Sequence, residues 1–369
     1  MKSLLTCFII LFSFQFTSRP LKTETVKKSI SPAANIFIIT LDGFRWQEIF
    51  TGADPALIND EKYTPDTATM KMLYWCPDAE GRRKKLLPFF WNVIAAKGQL
   101  YGNRNYNNKV STSNVYSISY PGYNEIFTGN TDITISSNSK IRNPNINILE
   151  WLNSKETYKG KVAAFTSWDV FPYILNEERS QVVLNSGYEN MDDENNGHQR
   201  LINEVQQNAV YNKTKTRHDL LTFLTAKEYI AAHHPKVVFL GLGETDEAGH
   251  NERYDTYLEK AAEADKIIAQ LWHYVQTTPG YKDNTTFIIT TDHGRGKRPG
   301  NWSDHGMFIN ASSQTWMAVM GPGIFPAGEI KEDQQLYQKQ LAQTIAELLG
   351  EEFITDQPVA SAISFKEQQ

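Results

Sequence analysis

From Ala33 onward, short apolar or β-branched runs alternate with stretches whose apolar positions recur at helical spacing. Asn35–Leu41 (NIFIITL), residues 161–165 (KVAAF), 236–240 (KVVFL) and 286–290 (TFIIT) are too short for helices, and their lack of polar alternation suits strands covered on both faces. Between them, residues 86–97 (LLPFFWNVIAAK) predict a helix closed by Gly98, and residues 218–234 a helix ended by Pro235. Residues 252–276 predict a long amphipathic helix before a Pro279-Gly280 turn. A further apolar run at 315–320 and a final helix over 335–349 complete the alternation. Strand, helix and strand in this order predict an α/β fold: a mainly parallel central sheet with helices on both faces. The segment 185–212, rich in Asn, Asp and Glu, predicts a surface excursion rather than a linker.

Residues 1–19 break this pattern. Lys2 precedes a mostly apolar stretch from Leu4 to Phe16, shorter than the roughly 20 residues that a bilayer-crossing helix needs. A secretory signal fits better than a buried first element, because residues 17–31 are polar and contain lysine. The expected organisation is a signal over 1–19, a flexible leader over 20–32 and one domain over 33–369, in a secreted or periplasmic protein with no membrane span. Of two cysteines, Cys7 lies in the signal, so a mature chain keeps Cys76 alone and forms no internal disulfide. With 40% hydrophobic and 21% charged residues the chain can bury a core, which excludes disorder. A formal net charge of -5 excludes bulk nucleic-acid binding by phosphate neutralisation.

In open parallel sheets ligands gather beyond the carboxyl ends of the strands. After the first strand comes Asp42-Gly43-Phe44-Arg45; after the third, a loop holding Asp246, Gly249 and His250; after the fourth, Thr291-Asp292-His293-Gly294. Taken singly, Asp42 reads as a turn former and Asp246 with His250 as a solvated i,i+4 pair. Together they put carboxylates and imidazoles at one end of one sheet, a mixture that suits zinc, or manganese, better than calcium. His305, twelve residues past His293, brings the set to six. Six ligands exceed the needs of one catalytic zinc and suffice for two divalent ions, whose natural chemistry is in-line phosphoryl displacement. The nucleophile candidate is Ser119. Pro121 two places on predicts a helix start there, with free N–H groups facing an anion; the competing reading is a simple helix cap.

These motifs, in this order from Asn35 to Gly306, resemble the alkaline phosphatase superfamily, closest to its nucleotide pyrophosphatase/phosphodiesterase-like branch. Asp42-Gly43-Phe44-Arg45 is similar to the first metal motif of that branch, and Ser119-Tyr120-Pro121 to its hydroxyl-x-Pro nucleophile motif. The resemblance implies an alkaline-phosphatase-like metallohydrolase domain in which Asp246, His250 and His305 hold one ion and Asp42, Asp292 and His293 the other. It further implies a covalent phosphoserine at Ser119, released by hydroxide, and an Asn about twenty residues past the nucleophile against a phosphoryl oxygen. Asn138 and Asn143 both satisfy that spacing. The nucleophile is serine where that branch typically has threonine. Sulfatases of the superfamily need Arg in the slot that Tyr123 fills, and phosphoglycerate mutases insert a domain for which the 127 positions between Ser119 and Asp246 leave no room.

The expected function is therefore a metal-dependent hydrolase of small phosphoric esters, monoester or diester. Transfer of a phosphoryl-linked group on the same residues, or non-catalytic capture of a ligand in the envelope, are the alternatives; oligomeric state is not legible. Lys140, Arg142, Lys297 and Arg298 are candidate clamps for a monoester's extra charge, or surface groups. Phe44, Trp46, Tyr120, Tyr123 and Trp168 are candidate stacking residues for a leaving group, or core.

Overall fold

The computed structural model describes residues 33–192, 196–210 and 213–367, so the signal and leader expected over 1–32 lie outside the described residues. In chain order the strands are β1 (Asn35–Leu41), β2 (Gly98–Tyr101), β3 (Asn108–Ser111), β4 (Val162–Thr166), β5 (Val183–Ser186), β6 (Val237–Leu242), β7 (Thr285–Thr290), β8 (Gln314–Thr315), β9 (Met317–Met320), β10 (Gly328–Glu329) and β11 (Gln334–Tyr337). Eight form the central sheet in the order β10-β2-β9-β7-β1-β6-β4-β5. Only β9 runs antiparallel to its neighbours β7 and β2. A small second sheet has the order β11-β3-β8.

β1 is buried at every position because it sits mid-sheet between β6 and β7. Its Phe37, Ile39 and Leu41 join one core with the helix Tyr254–Thr277. Ile36 and Ile38 join the other, with the helices Ser119–Thr128 and Leu341–Leu348. Each such side chain contributes about 1.5–3 kcal/mol on full burial, which fixes the strand's register and hence where it ends. Leu41 pairs with Leu242 and Thr40 with Thr290, so the three central strands finish level and release Asp42, Gly243 and Thr291 on one edge. The expected α/β architecture, a mainly parallel sheet between two helical layers, is the observed one.

Three local expectations are corrected. The helix over 86–97 is interrupted at Leu87, at φ -127° and ψ 66° ahead of Pro88, because a residue before proline is driven out of the helical region. Beyond it the helical stretch contains a π-type segment, Phe90–Ile94, and Gly98 opens a strand rather than merely closing a helix. The final helix is Leu341–Leu348 alone, since residues 334–337 pair in parallel with β3. The excursion over 185–212 carries a helix, Gly197–Asn208, started by Asn196, whose carbonyl oxygen accepts from the N–H groups of His198 and Gln199. Among the described residues no helix is long and apolar enough to cross a membrane.

Candidate metal centre

The level strand ends bring the six acids and histidines together. Ligand atoms of Asp42, Asp292 and His293 lie within 4.8 Å of one another, and so do those of Asp246, His250 and His305. Asp42 leaves β1 with its N–H on the Leu242 carbonyl (2.9 Å). Gly43 then turns at φ +57° and donates its N–H to Asp292 Oδ1 (3.0 Å). A Cβ at Gly43 would lie 2.6 Å from Asp246 Oδ1, so only glycine lets the two groups approach. Asp246 and His250 share one face of the helix Glu244–His250, with Oδ2 and Nε2 3.1 Å apart. That short helix is clamped from outside. The N–H groups of Gly243 and Glu244 donate to Asp219 (2.8 and 3.1 Å), while Asp219 returns its own N–H to Glu244 Oε2 (2.8 Å).

Ser119 is the first residue of the helix Ser119–Thr128, and the cap position is Ile118, so the competing cap reading fails. Its Oγ stands 3.3 Å from His293 Nε2 and 3.5 Å from Asp42 Oδ1. Gly122 makes this approach feasible, because a Cβ there would lie 2.5 Å from the Asp292 carbonyl oxygen.

The electrostatics are those of a cation site. Burial, then Asp292 and Asp246, push the Asp42 carboxyl well above the usual range. Burial likewise pushes Asp292 up to about 7, against the Gly43 N–H that favours its charged form. Asp246 is driven the opposite way: burial raises it, but Arg295 and His250 hold it well below the ordinary value. Burial lowers His293 to about 4, and burial with His293 lowers His305 to about 2, so both imidazoles are neutral and offer lone pairs.

The residues fit a pair of divalent cations on three further observations. Asp292 Oδ2 is fully buried with no hydrogen-bond partner, a costly state for a carboxylate oxygen unless a cation takes it up. His293 Nδ1 donates to the Gly294 carbonyl (2.9 Å) and His305 Nδ1 faces the Ser117 carbonyl (3.3 Å), which fixes each ring with Nε2 inward. His305 and His250 then point their Nε2 atoms at each other across 3.1 Å. Two imidazoles aimed nitrogen to nitrogen beside a carboxylate have the geometry of a candidate ligand set. The two groups differ in exposure: Asp292 and His293 are inaccessible, while the His250 side chain is about half exposed, so the cluster opens to solvent on the His250 side.

Asn138 and Asn143 separate. Asn143 is buried, donating to Asn124 Oδ1 (3.0 Å) and accepting from the Asn145 N–H (3.0 Å). Asn138 is exposed and accepts from the Tyr120 N–H (2.9 Å), one residue past Ser119. Lys140 and Arg142 pair with Asp169 and Glu178, whereas Lys297 and Arg298 are exposed. Of the candidate stacking residues, Phe44 is core against Tyr257 and Trp316, and Trp46 is half-buried with its indole N–H on Gln314. Tyr120 is buried with its hydroxyl on the Ile141 and Tyr173 carbonyls, and Trp168 packs edge-on against Phe171. Tyr123 donates its hydroxyl to Asp42 Oδ2 (3.1 Å), a supporting contact that the sequence reading missed. Arg295, also missed, reaches Asp246 from one place beyond the Asp292-His293-Gly294 motif.

Residues 98–358 match the family described as type I phosphodiesterase / nucleotide pyrophosphatase, a span that contains every site residue named above except Asp42 and Gly43 with their immediate neighbours. No curated protein matches the chain. Among solved structures, the alkaline phosphatase PafA is 13% identical with a TM-score of 0.56, covering 87% of this chain and 96% of that one. The lipoteichoic acid synthase LtaP from Listeria monocytogenes, also 13% identical with a TM-score of 0.56, covers 88% and 76%. A protein in the alkaline phosphatase superfamily from Vibrio parahaemolyticus is 10% identical with a TM-score of 0.50, covering 88% and 68%. At such identities the likeness is one of fold.

Proposed function

This chain belongs to the type I phosphodiesterase / nucleotide pyrophosphatase family, and from that premise we propose that it is a secreted or periplasmic two-metal phosphodiesterase with Ser119 as nucleophile. The observation that carries the reading is the meeting of six candidate ligand side chains from four segments of the chain, two of them, Asp42 and His293, against one serine hydroxyl. Asp246, His250 and His305 would hold one divalent cation, and Asp42, Asp292 and His293 the other, with zinc suited to the mixed donor set and manganese as second choice. Such cations supply Lewis acidity at the phosphoryl oxygens and favour the ionised serine.

The rest falls to the chain. Ser119 Oγ gives its proton to solvent and attacks phosphorus, forming the Oγ–P bond as the bond to the leaving oxygen breaks on the opposite side, and the alkoxide takes a proton from solvent and departs as an alcohol. Water then displaces Ser119 from phosphorus, returning the proton to Oγ and releasing a phosphomonoester. In the first turn of the helix Ser119–Thr128 the Tyr120 N–H is taken by Asn138, Pro121 has none and the Gly122 N–H is on the Ile118 carbonyl, which leaves the Ser119 N–H as the backbone donor for the anion. Asn138, anchored through its carbonyl oxygen, has its amide nitrogen available for a phosphoryl oxygen, whereas both ends of the Asn143 side chain are committed.

A diester is the substrate favoured by charge. A monoester carries an extra negative charge, and of the four cations that could answer it Lys140 and Arg142 are paired with acids while Lys297 and Arg298 are exposed to solvent. Tyr123, in the slot where a sulfatase needs Arg, is buried against Asp42. On one zinc-loaded preparation, an aryl phosphodiester is expected to turn over fastest, an aryl phosphomonoester more slowly and an aryl sulfate negligibly. A sulfate rate matching the diester rate would overturn the assignment.

The two asparagines give a second test. Asn138→Ala is expected to lower kcat/KM for the diester about tenfold, the loss of one phosphoryl hydrogen bond from an exposed side chain, with little change in melting temperature. Asn143→Ala should do the reverse, lowering melting temperature because Asn124 and the Asn145 N–H lose a buried partner. Equal kinetic loss in both variants would reject the choice of Asn138.

A further inference from the structure

Arg295 is among the largest fully buried side chains, at 1% exposure. A guanidinium taken out of water must have its N–H groups matched, and the partners here are unusual in where they come from. Nε donates to the carbonyl of Gly43, the residue after Asp42 (3.2 Å). One terminal nitrogen donates to the carbonyl of Ser303, two residues before His305. The other donates to the carbonyl of Asp246 (3.0 Å) and to its Oδ1. Three loops that end in candidate ligands are thus joined by one planar fork.

Space for the fork is built into two motif glycines. A Cβ at Gly249 would lie 2.6 Å from Arg295 Cζ, and one at Gly43 would lie 3.0 Å from Nε. Since Arg295 takes Asp246 Oδ1, the second oxygen, Oδ2, is left facing His250 Nε2 at 3.1 Å. The fork therefore leaves Oδ2 to His250, while His305 Nε2 stands 3.9 Å from Oδ1, the oxygen that Arg295 takes. It also sets one permanent positive charge beside a carboxylate that has buried acidic neighbours, Asp42 and Asp292.

We propose that Arg295 is a positioning residue for the triad Asp246, His250 and His305: it holds the three ligand loops in register and fixes the Asp246 carboxylate before a cation arrives. The proposal rests on the reading that this triad holds a cation. Lysine would not serve equally, because a single ammonium cannot span three separate acceptors in one plane.

The test uses the full chain as wild type, Arg295→Met and Arg295→Lys. Each is stripped of metal, titrated with zinc against a chromophoric chelator, and melted in parallel without metal. Arg295→Met is expected to weaken one of the zinc affinities about 10–100-fold, the usual cost of losing an outer-shell partner, and leave the other near wild type. Metal-free Arg295→Met should melt about 5 °C lower, since Asp246 loses its buried partner. Arg295→Lys should recover more of the melting temperature than of the zinc affinity, because charge is kept and the fork is lost; it also serves as the readable variant if Arg295→Met fails to fold. Wild type that takes up no zinc would defeat the metal reading and this proposal with it. Wild type that binds zinc, with both variants binding equally tightly, overturns the role of Arg295 alone.

Discussion

Ser119→Ala is expected to abolish turnover of an aryl phosphodiester, by a factor of at least about a thousand, while leaving zinc uptake and melting temperature close to wild type. The expectation follows from how little else the hydroxyl does. Its two contacts, to His293 at 3.3 Å and Asp42 at 3.5 Å, are long for hydrogen bonds. Ile118, not Ser119, occupies the cap of the helix, so no backbone donor is orphaned by the change. Steady-state rates and a zinc count on the same preparation check it, and turnover within tenfold of wild type would remove Ser119 as nucleophile. Rapid quench of wild type with a slow diester should in addition trap the phosphoryl group, still carrying its second ester substituent, on Ser119.

Asp292→Asn carries the second large effect, and its sign depends on whether metal is present. Loaded with zinc, the variant is expected to lose about one ion per chain and most of its activity, since the buried Oδ2, which among the described residues no hydrogen bond takes up and which faces His293 Nε2 at 3.5 Å, is the oxygen left for a cation. Stripped of metal, the same variant should be as stable as wild type or more so. Asp292 sits in the folded state at about 7, pushed up from 3.8 mainly by burial and also by Asp246. Between those values the folded protein binds the proton more tightly than the unfolded chain, so stability is fully present below about pH 4 and is lost as pH rises through about 7. Asn keeps an oxygen for the Gly43 N–H and carries no charge to lose. Melting curves of stripped protein from pH 4 to 8 should therefore fall less steeply for Asp292→Asn than for wild type. A variant that melts well below stripped wild type at pH 8 would contradict the account of this carboxylate.

The strands that position the site were legible because their burial leaves no polar alternation: β1, β4, β6 and β7 all read as continuous apolar runs. Strands at the periphery were not. In β11 the sequence QQLY alternates between half-buried and exposed, and it is a strand only because β3 lies beside it, a tertiary fact that propensity cannot anticipate. The helix expected over 86–97 failed at Leu87, where the proline effect outweighed apolar periodicity.

At the site, the candidate ligands were legible because acids and histidines at several strand ends of one sheet have few joint structural uses, and the structure brings them into two groups of three. Asn138 and Asn143 could not be separated by spacing; burial and hydrogen bonding separate them. Arg295 and Tyr123 escaped for a different reason. Each acts through one ligand, Asp246 or Asp42, from a distant point in the chain, and only the folded geometry joins them. The one local hint was an arginine set between Gly294 and Gly296 directly after a ligand motif.

Whether the six side chains hold a pair of cations is settled most directly by elemental analysis of active, dialysed protein alongside His305→Ala. About two zinc or manganese ions per chain in wild type, falling to about one in His305→Ala together with most of the diesterase activity, is the predicted result. Full turnover in wild-type protein that carries less than one such ion per chain would contradict it.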